Sequence, residues 1–266
     1  MSDRHPLILL TNDDGYLAEG LNHLMMALLK ISEVVVVAPD RPRSSISNAV
    51  TLHKPLRVEC IRAGEGYIVY SCNGTPADCV ALGVRVLCPR TPNLVISGIN
   101  DGENVGDDVI YSGTVAAAME GAVHGITSFA ISIATLNSTS KQFHYETACE
   151  VAVRLSQYLL REQLPMDSLL NVNVPNLPLS EIKGVAITSR GRKRYVGDLE
   201  MRYDPQGRPY YWRGSERPVI ENVDGTDVSA IVNGYISITP LQTDNTNFRL
   251  LPILAERFKN LLQSSL

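Results

Sequence analysis

The stretch LILLTNDDGYLAEGLNHLMMALLKISEVVVV, residues 7–37, decides the fold class. Its short apolar runs at 7–11 and 34–37 predict two buried strands. Apolar residues at helical spacing over 20–31 predict a helix between them. A strand, a helix and a strand in this order indicate a crossover unit of a parallel sheet.

The same alternation continues to about residue 175. It predicts a helix from about residue 76, with proline at its first position, strands at 93–97, 129–133 and 170–174, and helices at 113–123 and 143–160. Residues 51–60 and 67–71 differ, because their alternation around the turn at 64–66 indicates an antiparallel hairpin. The expected fold is therefore α/β, with at least five strands in a mostly parallel sheet covered on both faces.

The composition changes after residue 175. Residues 184–240 are rich in Arg, Tyr, Gly and Pro, with strand-like pieces at 185–188 and 235–239, and 247–262 has the pattern of an amphipathic helix. We therefore divide the chain into a catalytic domain at 1–183, an extended β arm for oligomerisation at 184–241, and a terminal helix at 242–266 that returns to the core.

Composition and charge exclude several classes of protein. The 266 residues are 44% hydrophobic and 20% charged, which excludes a disordered chain or a coiled coil. A net charge of −4 argues against binding to a nucleic-acid duplex. The first apolar run is too short for a signal peptide or a membrane span, so we expect a cytoplasmic protein. The five cysteines have no metal-binding spacing and are expected to be buried, reduced thiols.

Two polar clusters, TNDDG at 11–15 and APDRPRSS at 38–45, follow the first two strands. Ligands of open α/β sheets bind outside the carboxyl ends of the strands. Asp13 and Asp14 are therefore placed to hold a cation, which would offset their mutual repulsion. A cap and turn is the alternative. In the second cluster Ser44 or Ser45 could supply a neutral oxygen, and Arg41 or Arg43 a charge for phosphate. A solvated polar loop is the alternative there.

The third cluster, SGINDGENVGDDVIYSGTVAAAMEG at 97–121, predicts a strand end, a loop rich in Gly and Asn, and a helix that begins at Ser112-Gly113-Thr114. The first N–H groups of such a helix can bind an anion. The segment has no Gly-Lys-Ser/Thr, and glycines 98, 102 and 106 lack the dinucleotide-binding spacing. ATP-driven motors and dehydrogenases are therefore disfavoured. Glycines that only permit tight packing are the alternative.

Together, the three clusters supply oxygen ligands from Asp13, Asp14, a serine and Asn100. Such a set favours Mg²⁺, Mn²⁺ or Ca²⁺ over zinc. A hard cation beside an anion-binding helix end is what phosphomonoester hydrolysis requires. Asn104, Asp107 and Asp108 lie in the same loop, where a supporting role and a purely structural one are both open.

Five motifs resemble the SurE family of stationary-phase survival proteins: TNDDG at 11–15, APDRxRS at 38–44, GTPADCV at 74–80, SGINxGxNxGDDVxYSGTV at 97–115 and SITPL at 237–241. The resemblance implies a Rossmann-like three-layer sandwich with a C-terminal β-hairpin extension exchanged between subunits of a homodimer or homotetramer. It also implies a metal-dependent 5′-nucleotidase acting on nucleoside monophosphates, with 3′-nucleotidase and exopolyphosphatase activities in family members.

Carried over by position, the resemblance places one divalent cation per subunit, Mg²⁺ or Mn²⁺, on Asp13, Asp14, Ser44 and Asn100. We expect Asp13, Asp14, Asn100 and Ser112 to be catalytic, and phosphate to bind at Asn104, Ser112, Gly113 and Thr114. Two alternatives stay open. A metal-dependent deacetylase would need histidine ligands, which these clusters lack. A nucleotide-binding sensor with a structural metal would bind a nucleotide without releasing phosphate.

Overall fold

The computed structural model describes residues 5–136, 142–213, 217–259 and 261. Its strands and helices, in chain order, are β1 Leu7–Thr11, α1 Glu19–Leu28, β2 Glu33–Pro39, β3 Val58–Gly64, β4 Tyr67–Cys72, α2 Pro76–Leu82, β5 Leu94–Asp101, α3 Gly113–Val123, β6 Ser128–Ala134, α4 Tyr145–Leu159, β7 Ser168–Pro175, β8 Val185–Ile187, β9 Arg192–Val196, β10 Glu200–Tyr203, β11 Pro209–Trp212, β12 Arg217–Glu221, α5 Asp227–Val232, β13 Ile236–Gln242 and α6 Leu251–Arg257.

The central sheet has nine strands in the order β3-β4-β2-β1-β5-β6-β7-β13-β8. The six strands from β4 to β7 are parallel, whereas β3 and β13 run antiparallel to their neighbours β4 and β7. Helices α1 and α4 pack on one face of the sheet, and α2 and α3 pack on the other. The predicted α/β fold with a mostly parallel, doubly covered sheet is confirmed.

The apolar runs form strands because both of their faces are covered. All five residues of β1 are buried, and β2 is buried from Val34 onward. Helix α1 places Leu21, Leu24 and Leu28 against the sheet, at the spacing that the sequence predicted. Helix α2 begins with Pro76, and Thr75 and Asp78 cap it reciprocally.

The order in which the chain adds strands to the sheet reverses between β1 and β5, although the two strands are parallel. From β1 the chain adds β2 and then β4 on one side, whereas β5, β6 and β7 lie on the other side. The carboxyl ends of β1 and β5 therefore face a crevice that no crossover helix covers, where open α/β sheets bind their ligands. The first and third polar clusters of the sequence follow these two strands.

The C-terminal third differs from the predicted β arm. Strands β8 and β13 belong to the central sheet, where β13 pairs with the edge of β7 that would otherwise be exposed. Between them, the described strands that leave the sheet form two short antiparallel pairs, β9 with β12 and β10 with β11. The sequence showed the strands but not their partners, which lie far away along the chain.

The terminal helix and two of the cysteines also differ from expectation. Helix α6 spans seven residues and has no buried residue, so its described part does not return to the core of this chain. Residues 260 and 262 of the predicted helix lie outside the described residues. All five cysteines are free, and Cys72, Cys79 and Cys149 are buried as expected. Cys88 is only partly buried, and Cys60 is exposed because it lies on the fully exposed strand β3. The predicted hairpin is present at β3 and β4, beginning at Val58 instead of residue 51.

Within the described residues, no helix is both long enough and apolar enough to cross a bilayer.

Candidate active site

The first polar cluster forms a closed turn at the end of β1. The Asn12 amide Nδ2 donates to the Gly15 carbonyl at 3.0 Å, and the Gly15 N–H donates to Asn12 Oδ1 at 3.1 Å. Gly15 adopts a φ of +97°, which other residues rarely tolerate. Asp13 and Asp14 therefore leave the sheet in fixed directions, and both line a cavity of about 690 Å³.

The second and third clusters are tied to this turn. The Arg43 N–H donates to the Asp13 carbonyl at 2.7 Å, and the Ser47 N–H donates to the Tyr111 carbonyl at 3.0 Å. The register of β5 against β6 shifts between Ser97 and Asn100, as in a β-bulge. The structure therefore brings all three clusters to one cavity, whose lining includes the four predicted metal ligands Asp13, Asp14, Ser44 and Asn100.

Ser44 and Ser45 both line the cavity and both are exposed, so the geometry does not separate these two candidates. Neither Arg41 nor Arg43 is part of the lining. The Arg43 guanidinium donates instead to the Asn73 carbonyl at 2.7 Å and lies 3.4 Å from Asp40. The two arginines thus do not meet the expectation of a phosphate-binding charge in this cavity.

The two adjacent carboxylates have unfavourable surroundings for negative charge. Asp13 is 6% exposed, and burial raises its pKa even though Thr114 donates to it. Burial, together with the charges of Asp13 and Asp101, raises the pKa of Asp14 to about 6. Asp14 Oδ2 is buried and has no hydrogen-bond partner among the described residues. A positive charge in this position would relieve all three features.

The donor set at the cavity suits a hard cation. No group of three or more His, Cys, Asp and Glu side chains within the described ranges forms a metal-binding cluster. The candidate ligands are two carboxylates, a hydroxyl and the Asn100 amide, whose Nδ2 donates to the Gly102 carbonyl at 2.8 Å. Because the amide nitrogen is engaged, Oδ1 is the side-chain atom of Asn100 that can accept a ligand.

Helix α3 begins at the edge of the same cavity. Ser112 is its N-cap, and Ser112 Oγ accepts the Val115 N–H at 3.0 Å. The N–H groups of Gly113 and Thr114 follow, where a helix has no intrahelical acceptor for them. A Cβ at Gly113 would lie only 2.9 Å from Asp13 Cβ, so glycine is required for the helix to approach the carboxylate.

Thr114 and Asn104 make contacts that the sequence did not predict. Thr114 is fully buried, and its hydroxyl donates to Asp13 Oδ1 at 2.5 Å, so in this structure the hydroxyl does not face a phosphate site. Asn104 Nδ2 donates to Ser132 Oγ at 2.8 Å, and the Asn104 carbonyl accepts from Asn171 and Asn173. Asn104 lines the cavity, but these bonds make it an anchor of the loop.

Sequence reasoning missed several residues of the cavity wall. Asp101, Glu103 and Tyr111 lie in the third cluster, where position alone could have indicated them. Tyr195 and Arg213 come from the segment after residue 184, whose sequence gave no signal for a place at this cavity. Among the supporting residues, Tyr145 on α4 donates to both carboxylate oxygens of Asp101 at 2.8 Å.

Comparison with known proteins places the chain in a family. The family model described as "Survival protein SurE" matches residues 8–197. The chain is 47% identical over 247 residues to the 5′-nucleotidase SurE of Geobacter sulfurreducens, covering 93% of this chain and 92% of that protein. It is 45% identical over 247 residues to the 5′-nucleotidase SurE of Pelobacter propionicus, covering 93% of this chain and 97% of that protein.

A solved structure agrees with these matches. The crystal structure of the SurE protein from Aquifex aeolicus superposes with a TM-score of 0.81 at 40% sequence identity, covering 95% of this chain and 99% of that one. The sequence match and the fold match thus extend over nearly the same length. The chain therefore belongs to the SurE family of survival proteins.

Proposed function

We propose that this protein is a metal-dependent phosphomonoesterase, a 5′-nucleotidase that hydrolyses nucleoside 5′-monophosphates to nucleoside and phosphate. The observation that carries the proposal is the pair of enclosed carboxylates, with Asp14 Oδ2 unpartnered among the described residues, beside the N-terminus of α3. The names of the relatives from Geobacter sulfurreducens and Pelobacter propionicus support it.

One divalent cation per subunit, Mg²⁺ or Mn²⁺, would be held by Asp13, Asp14, Ser44 and Asn100. The orphaned oxygen of Asp14 and the all-oxygen donor set fit such an ion. When bound, it would polarise a phosphoryl oxygen and lower the pKa of a bound water. Thr114 would orient Asp13 for this role through its hydroxyl.

The substrate phosphate would bind at the start of α3. The Ser112 hydroxyl and the N–H groups of Gly113 and Thr114 would donate to its oxygens, helped by the positive end of the helix dipole. Asn104 is a further phosphate-binding candidate from its place on the cavity wall. The catalytic residues in this proposal are Asp13, Asp14, Asn100 and Ser112. A water would attack directly, because adjacent aspartates differ from the D-x-D pattern of phosphoaspartate enzymes.

The wider proposal follows the family resemblance. We propose 3′-nucleotidase and short-chain exopolyphosphatase activities at the same site, a cytoplasmic location, and a homodimer or homotetramer. The division of the chain into a catalytic part, an arm and a terminal segment is proposed in the same sense, with β8 and β13 counted as part of the catalytic sheet.

The test measures phosphate release from a panel of nucleoside 5′- and 3′-monophosphates after chelation, with and without added Mg²⁺ or Mn²⁺. Asp13→Asn removes a ligand charge without removing a core contact, so we expect a loss of about 100-fold or more with the fold retained. Asp224→Asn, at an exposed position outside the cavity, is the matched control and should match wild type.

Activity of Asp13→Asn equal to wild type at saturating metal would refute the site assignment. Nucleotide binding by wild type without phosphate release, under every metal tried, would instead favour the sensor alternative.

A further inference from the structure

Strand β9 carries a buried lysine that the proposed mechanism does not use. Lys193 is 4% exposed, although a lysine in a short strand outside the central sheet would ordinarily extend into solvent. Its Nζ lies 2.7 Å from Glu103 Oε1 and 2.7 Å from Asp108 Oδ2. One ammonium group therefore pairs with two carboxylates of the loop between β5 and α3.

Glu103 and Asp108 both line the same cavity as Ser112. Burial raises the pKa of Glu103, but the bond and charge of Lys193 outweigh it, so the net shift is downward. The same two partners raise the pKa of Lys193 against the effect of burial. These shifts favour the charged forms of Lys193 and Glu103. Counted by formal charge, the lysine with its two carboxylate partners carries −1, whereas the two carboxylates alone would carry −2.

The loop and β9 are also held together through their backbones. Asp227 accepts the Gly106 N–H at 2.9 Å and the Gly191 N–H at 2.7 Å. A Cβ at Gly106 would lie 2.7 Å from the backbone nitrogen of Lys193, so the two segments are in contact. The loop is also bonded to the N-terminus of α3, where phosphate is proposed to bind, because the Ser112 N–H donates to the Asp108 carbonyl at 3.0 Å.

We propose that Lys193 is a positioning residue for phosphate binding, which fixes the loop at Glu103 and Asp108 and offsets their negative charge where an anionic substrate must approach Ser112. The inference rests on the proposed function for the identity of the anion. It makes β9 part of the active site, although no atom of Lys193 need touch the substrate.

Lys193→Met keeps the length of the side chain and removes its charge. We expect KM for nucleoside 5′-monophosphate and Ki for inorganic phosphate each to rise about tenfold, because the carboxylates of Glu103 and Asp108 would then repel the anion without a neighbouring positive charge. The value of kcat should change less than KM. Lys193→Arg should keep most of the affinity. Arg194→Met, on the opposite face of β9 and 60% exposed in its side chain, is the matched control.

Asp108→Asn tests the same idea with the opposite sign. The asparagine keeps a side-chain oxygen that can accept a hydrogen bond from Lys193 Nζ, so the loop stays held. The cavity wall loses one negative charge, and Ki for phosphate should fall about threefold. A purely structural tether predicts weaker binding in both variants. The Asp108→Asn result also decides the question if Lys193→Met does not fold.

An unchanged Ki in a folded Lys193→Met, or a raised Ki in Asp108→Asn, overturns the inference. Calorimetric binding of inorganic phosphate to Mn²⁺-loaded protein separates it from the proposed function. If wild type releases no phosphate from nucleotides yet the two variants shift phosphate affinity in opposite directions, the nucleotidase proposal fails and the role of Lys193 stands.

Discussion

Replacing Thr114 by valine tests whether the buried hydroxyl supports the proposed metal site. The Thr114 hydroxyl donates to Asp13 Oδ1 at 2.5 Å, and both residues are buried, so water cannot take its place. Valine has nearly the same shape, so the substitution removes a donor and leaves little space behind. The carboxylate of Asp13 then loses a partner that stabilises its charged form.

The magnitude follows from the type of bond. A hydrogen bond to a charged group contributes about 1.5–3 kcal/mol. The charged form of Asp13, which would bind the cation, is destabilised by this amount. The affinity for a divalent cation should therefore fall about 10- to 100-fold, since about 1.4 kcal/mol corresponds to tenfold. Residues that support metal ligands elsewhere have effects in this same range, about 10- to 100-fold.

The assay is calorimetric titration of chelated protein with Mn²⁺, followed by phosphate release over the same range of metal concentration. Thr147→Val is the matched control, because Thr147 is equally buried and donates to the Leu177 carbonyl at 2.9 Å, away from the cavity lining. We expect its Mn²⁺ affinity to match wild type. Unchanged Mn²⁺ affinity in a folded Thr114→Val would refute the reasoning.

Two further predictions concern packing and pH. In Gly113→Ala the new Cβ would lie 2.9 Å from Asp13 Cβ and 3.0 Å from Asp13 Oδ2. The Asp13 carboxylate would have to move, which should reduce the rate of phosphate release about 100-fold. Wild-type activity in this variant would show that α3 can shift aside instead. Burial opposes the charge of Asp78, but donors from Thr51 and Thr75 outweigh it and lower its pKa below 3.8. The stabilisation from charged Asp78 is therefore fully present above the pKa that Asp78 has in the unfolded chain, and it is lost as pH falls through its pKa in the folded protein. The free energies of unfolding of wild type and Asp78→Asn, measured in urea, should therefore converge at that low pH. A difference between them that stays constant down to that pH would contradict the prediction.

The location of the candidate site was predictable because parallel strands end at one edge of a sheet. Asp13 after β1 and Asn100 at the end of β5 are 87 residues apart in number, yet the topology makes their strands neighbours. The apolar runs indicated both strands, and the polar residues after them indicated the site. The directions of the side chains were not predictable in the same way, since Thr114 and Asn104 bond to protein atoms instead of facing a ligand.

The contributions of the C-terminal third could not be predicted from local pattern. Lys193 and Tyr195 reach the cavity region only because β9 packs against the loop at Gly106, and that contact depends on Asp227. One of the two partners of β13 is β7, more than 60 residues earlier in the chain. Pairings over such separations are fixed by the assembled core, and a short polar strand carries no signal of them.

The placement of β13 and Asp227 has a consequence for the order in which the protein matures on the ribosome. Strands β1 to β7 and the candidate ligands are all synthesised before residue 176, but β7 keeps an open edge until residues 236–242 have emerged. The Gly106 amide likewise waits for residue 227. The nascent chain therefore carries every proposed metal ligand well before Asp227 can hold the loop between β5 and α3. A chain truncated at residue 197, where the family match ends, would lack both β13 and Asp227, so the edge of β7 would stay open.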